Sequence, residues 1–206
     1  AAIPRNLSLA LGSGVVSPLD LAIGYSVFAN GGYRVMPWLV SHIEDTRGDR
    51  VFTEAPARVC DTPCAAASDQ QLPVYYQTAD RVLPAENAYL VTSMLQDVIR
   101  NGTGRRAQVL GRDAIAGKTG TTNEGNDAWF AGYTTDLVAT VWVGYDQVRS
   151  LGSGETGSRT ALPVWIDFMA AALAGFPEKP FPRPPGLVTA RIDPGTGQLT
   201  GVDNPD

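Results

Sequence analysis

Lysine, histidine and cysteine are scarce in this sequence. Its 206 residues hold two lysines (Lys118 and Lys179), one histidine (His42) and two cysteines (Cys60 and Cys64). Two cysteines and a lone histidine in an apparent strand do not complete a zinc site, which takes about four ligands. No apolar run approaches the roughly 18 residues that cross a membrane, and no signal peptide opens the sequence. The net charge of −5 comes with no basic stripe, which argues against a nucleic-acid partner. No internal repeat is present. No serine is followed three residues on by lysine, and Ser-x-Asn occurs nowhere. What remains is enough for one core, since 44% of the residues are hydrophobic.

Against that scarcity Lys118 stands out. Arginine outnumbers lysine 14 to 2, so lysine is not the generic surface charge here. It sits in Ala114-Ile115-Ala116-Gly117-Lys118-Thr119-Gly120-Thr121-Thr122, an apolar strand-like lead-in ending in a cation, hydroxyls and glycine. An ammonium attracts a carboxylate, and the Thr119 and Thr121 hydroxyls alternate onto one strand face where both reach it. Gly120 has no side chain to block a peptide lying along the edge. Lys-Thr-Gly is a signature of serine acyl-transferases acting on penicillin-like substrates. Ordinary β-propensity and a solvated strand-end lysine are the plain alternatives. The flanking glycines, which leave Lys118 unshielded, weigh against them.

The rest of the chain alternates helices and strands. Ser17-Pro18-Leu19-Asp20 reads as a capped helix start, with Leu19, Ala22, Ile23 and Val27 on one face and a stop at Asn30-Gly31-Gly32. A hairpin is expected from residues 33–43 and 50–53. Residues 54–80 read as a surface insertion carrying the cysteine pair. A second helix spans 85–100, with Ala88, Val91, Leu95 and Val98 inward and Asn101-Gly102 at its end. Three antiparallel strands follow from 114, 127 and 137, then a Gly/Ser-rich loop at 150–158. A third helix starts near Ala161 and turns Val164, Trp165, Phe168, Met169 and Ala172 to the core. Five prolines between Pro177 and Pro185 suggest a stiff linker, and 188–192 begins a last small hairpin. The class is α+β, an antiparallel sheet flanked by helices.

Three glycine patterns, at 152–157, 111–119 and 102–104, invite a nucleotide-binding reading and fail it. Gly152-Ser153-Gly154-Glu155-Thr156-Gly157 matches G-x-G-x-x-G, but the next strand that a dinucleotide fold requires would fall in Phe176-Pro177-Glu178-Lys179-Pro180. In a phosphate-binding loop the lysine opens a helix, and Thr119-Gly120-Thr121-Thr122-Asn123 is poor helix material. Gly102-Thr103-Gly104 follows a helix and reads simply as its exit. Trp129, Trp142 and Trp165 read as core filling, and Glu124 and Asp127 as turn residues.

Taken together, Lys118-Thr119-Gly120-Thr121-Thr122, Asp127-Ala128-Trp129-Phe130-Ala131-Gly132-Tyr133, Val141-Trp142-Val143-Gly144, Asn101-Gly102-Thr103-Gly104 and Ala161-Leu162-Pro163 closely resemble the transpeptidase domain of class A (bifunctional) penicillin-binding proteins. The likeness covers nearly the whole chain. It implies that residues 1–176 are the C-terminal part of that domain and 177–206 a linker and hairpin. It implies a peptidoglycan D-Ala-D-Ala transpeptidase sensitive to β-lactams, with stem peptides and β-lactam antibiotics as its ligands and no cofactor or metal. Lys118 and Thr121 would be catalytic, and Thr119, Gly120 and Thr121 would bind substrate, with the Thr121 N–H as an oxyanion donor. The family also carries S-x-x-K and S-x-N, which this sequence lacks. Nucleophile, base and middle serine are therefore expected upstream of Ala1, so the chain should be inactive alone and should need the upstream half of the same protein. A membrane anchor would likewise lie upstream, with the domain on the periplasmic face of the inner membrane. In that oxidising compartment a Cys60–Cys64 disulfide is favoured over free thiols. The alternative is a non-catalytic scaffold that kept the fold, against which the intact Lys-Thr-Gly-Thr speaks.

Overall fold

The structure, a computed structural model, describes residues 6–12, 14–60 and 77–203. Helix α1 (Pro18–Ala29) begins as the sequence indicates, with the Ser17 hydroxyl accepting the Asp20 N–H at 3.1 Å. It shows no single core stripe. None of its residues is fully buried, and Leu19 is exposed.

Residues 33–43 do not form one strand. Tyr33–Arg34 (β1) pairs instead with Asp80–Arg81 (β4), while His42–Glu44 (β2) pairs with Arg50–Thr53 (β3) in a solvent-exposed hairpin. Pro37 lies between β1 and β2, where its missing N–H and fixed φ break a ladder. The far end of the 54–80 segment is therefore built into the body, with Ala79 buried. Cys60 is disulfide-bonded. Cys64 and the rest of 61–76 lie outside the described residues.

Helix α2 (Ala85–Arg100) has the expected limits, but its buried line is Ala88, Thr92 and Ile99. Val91, Leu95 and Val98 are half-buried beside it, so the inward face is rotated by about one position. Next come β5 (Ala116–Thr121), β6 (Ala128–Tyr133) and β7 (Val138–Val143), an antiparallel sheet in that order. The α+β class expected from the sequence holds, with helices on both faces of this sheet.

Alternation along β6 divides the two faces, because residues three apart point oppositely. Phe130 packs edge-on against Trp165 of α3 (Leu162–Ala172), with ring centroids 4.9 Å apart, and Trp165 donates its indole N–H to the Ala139 carbonyl. Leu162, Trp165 and Met169 are fully buried there, while Val164 and Phe168 turn to solvent against expectation. On the opposite face Tyr133 meets Tyr25 of α1 edge-on and its hydroxyl bonds that of Thr92 at 2.9 Å. Burial pushes the Tyr133 phenol up to about 12, against a smaller lowering by the Thr92 bond.

The proline-rich stretch lies against this body. Glu178 accepts the Ala114 N–H, Lys179 pairs with Asp136, and the Phe181 ring meets Tyr133. Arg112 donates to the Leu173 and Phe176 carbonyls just before it. A last hairpin, β8 (Thr189–Ile192) with β9 (Leu199–Asp203), follows as expected.

Candidate active site

Strand β5 is an edge strand: among the described residues only β6 pairs with it. Its first residues, Ala116 and Gly117, are buried, while Lys118 and Thr121 are exposed and Thr119 and Gly120 half-buried. The open side carries backbone groups as well as side chains. Thr122 N–H donates to the Asp127 carbonyl at 3.2 Å, so Thr122 and Asp127 form a hydrogen-bonded pair. Antiparallel pairing alternates, which turns the N–H and C=O of Thr121 and Thr119 away from β6. Consistent with this, the Lys118 ammonium bonds the Thr119 carbonyl at 2.9 Å. A cation and outward-facing N–H groups thus share one edge.

The two hydroxyls share the other face of the strand, as alternation predicts, and each is already held. Thr119 Oγ1 lies 2.8 Å from Thr103 Oγ1. Thr121 Oγ1 accepts the Gly157 N–H at 3.0 Å. A hydroxyl has one proton and two lone pairs, so an N–H donor at Thr121 leaves that proton free to donate to another acceptor. Gly157 opens a π-helical turn (Gly157–Ala161) lying on the β5–β6 ladder. A Cβ there would come within 2.3 Å of the Trp129 carbonyl oxygen and 2.5 Å of Gly120 O. That close approach, and no phosphate loop, is why the last glycine of 152–157 is glycine.

The turn after β5 is tied down by Thr122, whose hydroxyl accepts the N–H groups of Asn126 and Asp127 at 2.9 and 3.0 Å. Gly125 supplies the positive φ of 64° that this reversal uses. Asp127 has a further role beyond the turn: its Oδ1 accepts the Trp142 indole N–H at 2.8 Å. Trp142 is 37% exposed and leans on half-buried Trp129, so only Trp165 of the three tryptophans fills the core. Glu124 accepts from the Asn126 amide and stays a turn residue. Among the described residues no cluster of His, Cys, Asp or Glu is arranged to hold a metal.

Residues 5–169 match the family described as penicillin binding protein transpeptidase domain. The chain belongs to that family. Penicillin-binding protein 1A of Pseudomonas aeruginosa is 43% identical over 98% of this chain and 28% of its own length. The Vibrio cholerae protein of the same name is 38% identical over 96% and 27%. In three dimensions, penicillin-binding protein 1A from Haemophilus influenzae superposes with a TM-score of 0.85 at 35% identity, covering 96% of this chain and 32% of that one. The chain spans about a quarter to a third of the lengths of these penicillin-binding proteins.

Sequence reasoning brought together Lys118, Thr119, Gly120 and Thr121, which do share one edge. It missed Thr103 and Gly157, each read as punctuation in a glycine-rich stretch. Both lie far from β5 in sequence, and only the packing of their turns brings them to it.

Proposed function

We propose that this chain is the substrate-carboxylate half of a peptidoglycan D-Ala-D-Ala transpeptidase and acts as the C-terminal part of a longer protein. The observation that carries the reading is the open edge of β5, where the Lys118 ammonium, the outward Thr121 N–H and the Thr119 and Thr121 hydroxyls meet beside a glycine.

In this reading the stem peptide lies along β5, its terminal carboxylate drawn by Lys118 and hydrogen-bonded by Thr119 and Thr121. A serine from outside these 206 residues attacks the penultimate D-alanine carbonyl. The Thr121 N–H and the N–H of that serine hold the resulting oxyanion. The amide C–N bond breaks, terminal D-alanine takes a proton and leaves, and the serine keeps the acyl group as an ester. An amine of a neighbouring stem then attacks the ester, loses a proton and releases the serine, which closes the cross-link. One oxyanion donor in comparable acyl transfer contributes roughly 3 kcal/mol. Gly120 leaves room for the substrate backbone. A β-lactam would enter the same way and remain as the acyl-enzyme. Such chemistry belongs on the periplasmic side of a bacterial inner membrane, where stem peptides are found.

The test is labelling of the longer protein with a fluorescent penicillin. A covalent label on a serine outside this chain, reduced about a hundredfold by Lys118→Ala, is the expected result. Equal labelling of wild type and Lys118→Ala would contradict it. A longer protein that takes no label would point to a non-catalytic scaffold.

A further inference from the structure

Gly102-Thr103-Gly104 does more than end α2. Gly102 is seated where no side chain fits, since a Cβ there would lie 2.9 Å from both Cα and the carbonyl oxygen of Val98. A Cβ on Gly104 would press on the Ile99 Cδ1 tip at 2.7 Å and the Val98 carbonyl oxygen at 3.3 Å. The N–H groups of Gly102 and Gly104 both donate to the Val98 carbonyl, at 3.0 and 3.1 Å. The chain is thus folded tightly back on the last turn of the helix. The residue between the glycines is presented at the face of β5, with its hydroxyl 2.8 Å from that of Thr119.

We propose that Thr103 is a positioning residue for carboxylate recognition, acting through Thr119. This rests on the transpeptidase reading of the β5 edge. Two hydroxyls in contact bring two protons, and one is consumed between them. When an anion arrives at Thr119, its field selects the arrangement in which Thr103 donates to Thr119 and Thr119 donates to the carboxylate. Donation into Thr119 Oγ1 polarises its O–H and strengthens the outer bond. Without Thr103, the Thr119 hydroxyl turns freely and loses that polarisation. Thr103 touches no substrate atom in this scheme. It makes the edge selective for a carboxylate over a neutral group in the same place.

The experiment uses the longer protein and two probes, a penicillin with its free carboxylate and the methyl ester of the same compound. Wild type is expected to acylate much faster with the acid. Thr103→Val keeps the shape, removes the hydroxyl, and should lower the acid-over-ester preference roughly tenfold. The loss should lie in the concentration dependence of acylation and leave its limiting rate nearly unchanged. Thr103→Ser should restore the preference. A Thr103→Val enzyme with the wild-type preference would overturn the inference. So would one that loses acid and ester equally, which marks a structural role. A wild type that acylates with neither probe would overturn the transpeptidase reading itself, and this inference with it.

Discussion

The two halves of β5 are built from similar small residues and carry opposite duties. In the first, a Cβ on Gly117 would lie 2.8 Å from the Phe130 ring and 2.9 Å from the Ala131 carbonyl oxygen, and Ala116 is fully buried. In the second, the nearest neighbour of a Cβ on Gly120 would be the Trp129 side chain, at a tight 3.1 Å that this side chain could relieve by a small shift, and Lys118 and Thr121 face solvent. One glycine is small because the core is full. The other, on the proposed reading, keeps the strand edge open to a ligand. The strand therefore ties the chemical edge directly to the packed centre, so a rigid core fixes where Lys118 and the Thr121 N–H stand.

The sharpest way to break this contrast is to damage the first half's support. Trp165→Ala in the longer protein should cost about 4 kcal/mol of stability, as for other fully buried tryptophans. Thermal or denaturant unfolding reads it, and a loss below 1 kcal/mol would mean that Phe130 and Trp165 do not anchor the sheet. Next, Gly120→Val should lower acylation by penicillin roughly a hundredfold while Tm moves only a few degrees. Its counterpart Gly117→Val should do the reverse in kind, with unfolding before any specific loss of acylation. Acylation that survives Gly120→Val at the normal rate would remove the substrate-facing role of the second half.

Smaller effects test the other face. Thr122→Val removes the acceptor that closes the β5–β6 turn and should cost about 1 kcal/mol, with a matching rise in amide exchange at Asn126 and Asp127. The Tyr133 phenol, raised to about 12 by burial, makes a pH prediction. Its ordinary value is near 10, so the unfolded chain ionises first. The contribution is full below about pH 10 and is lost as pH rises through about 12. Tyr133→Phe should flatten the alkaline arm of the stability profile between these values. An unchanged slope would mean that the phenol is solvated.

Local chemistry made much of this legible. The Ser17 cap with Pro18 fixed the start of α1, and Asn101-Gly102 fixed the end of α2. The aromatic and β-branched runs marked β6 and β7. The Lys118 edge could be read because a cation, two hydroxyls and a glycine lie consecutively on one strand. Long-range geometry stayed hidden. β1 takes its partner from residues 80–81, and Pro37 splits what alternation made look like one long strand. Trp142 is apolar enough for a core, but it lies outside, held by Asp127 at the end of the β5–β6 turn. Thr103 and Gly157 reach β5 only through turns whose tightness no local pattern announces.

The proposed role of residues 118–121 is one half of an acyl-transfer site whose nucleophile lies elsewhere. It is tested most directly by fluorescent-penicillin labelling of this chain alone and after mixing with the upstream segment of the longer protein. The expected result is no label on the isolated chain and, after mixing, a covalent band on the upstream piece. A label on this chain by itself would reveal a nucleophile within these residues and contradict that role.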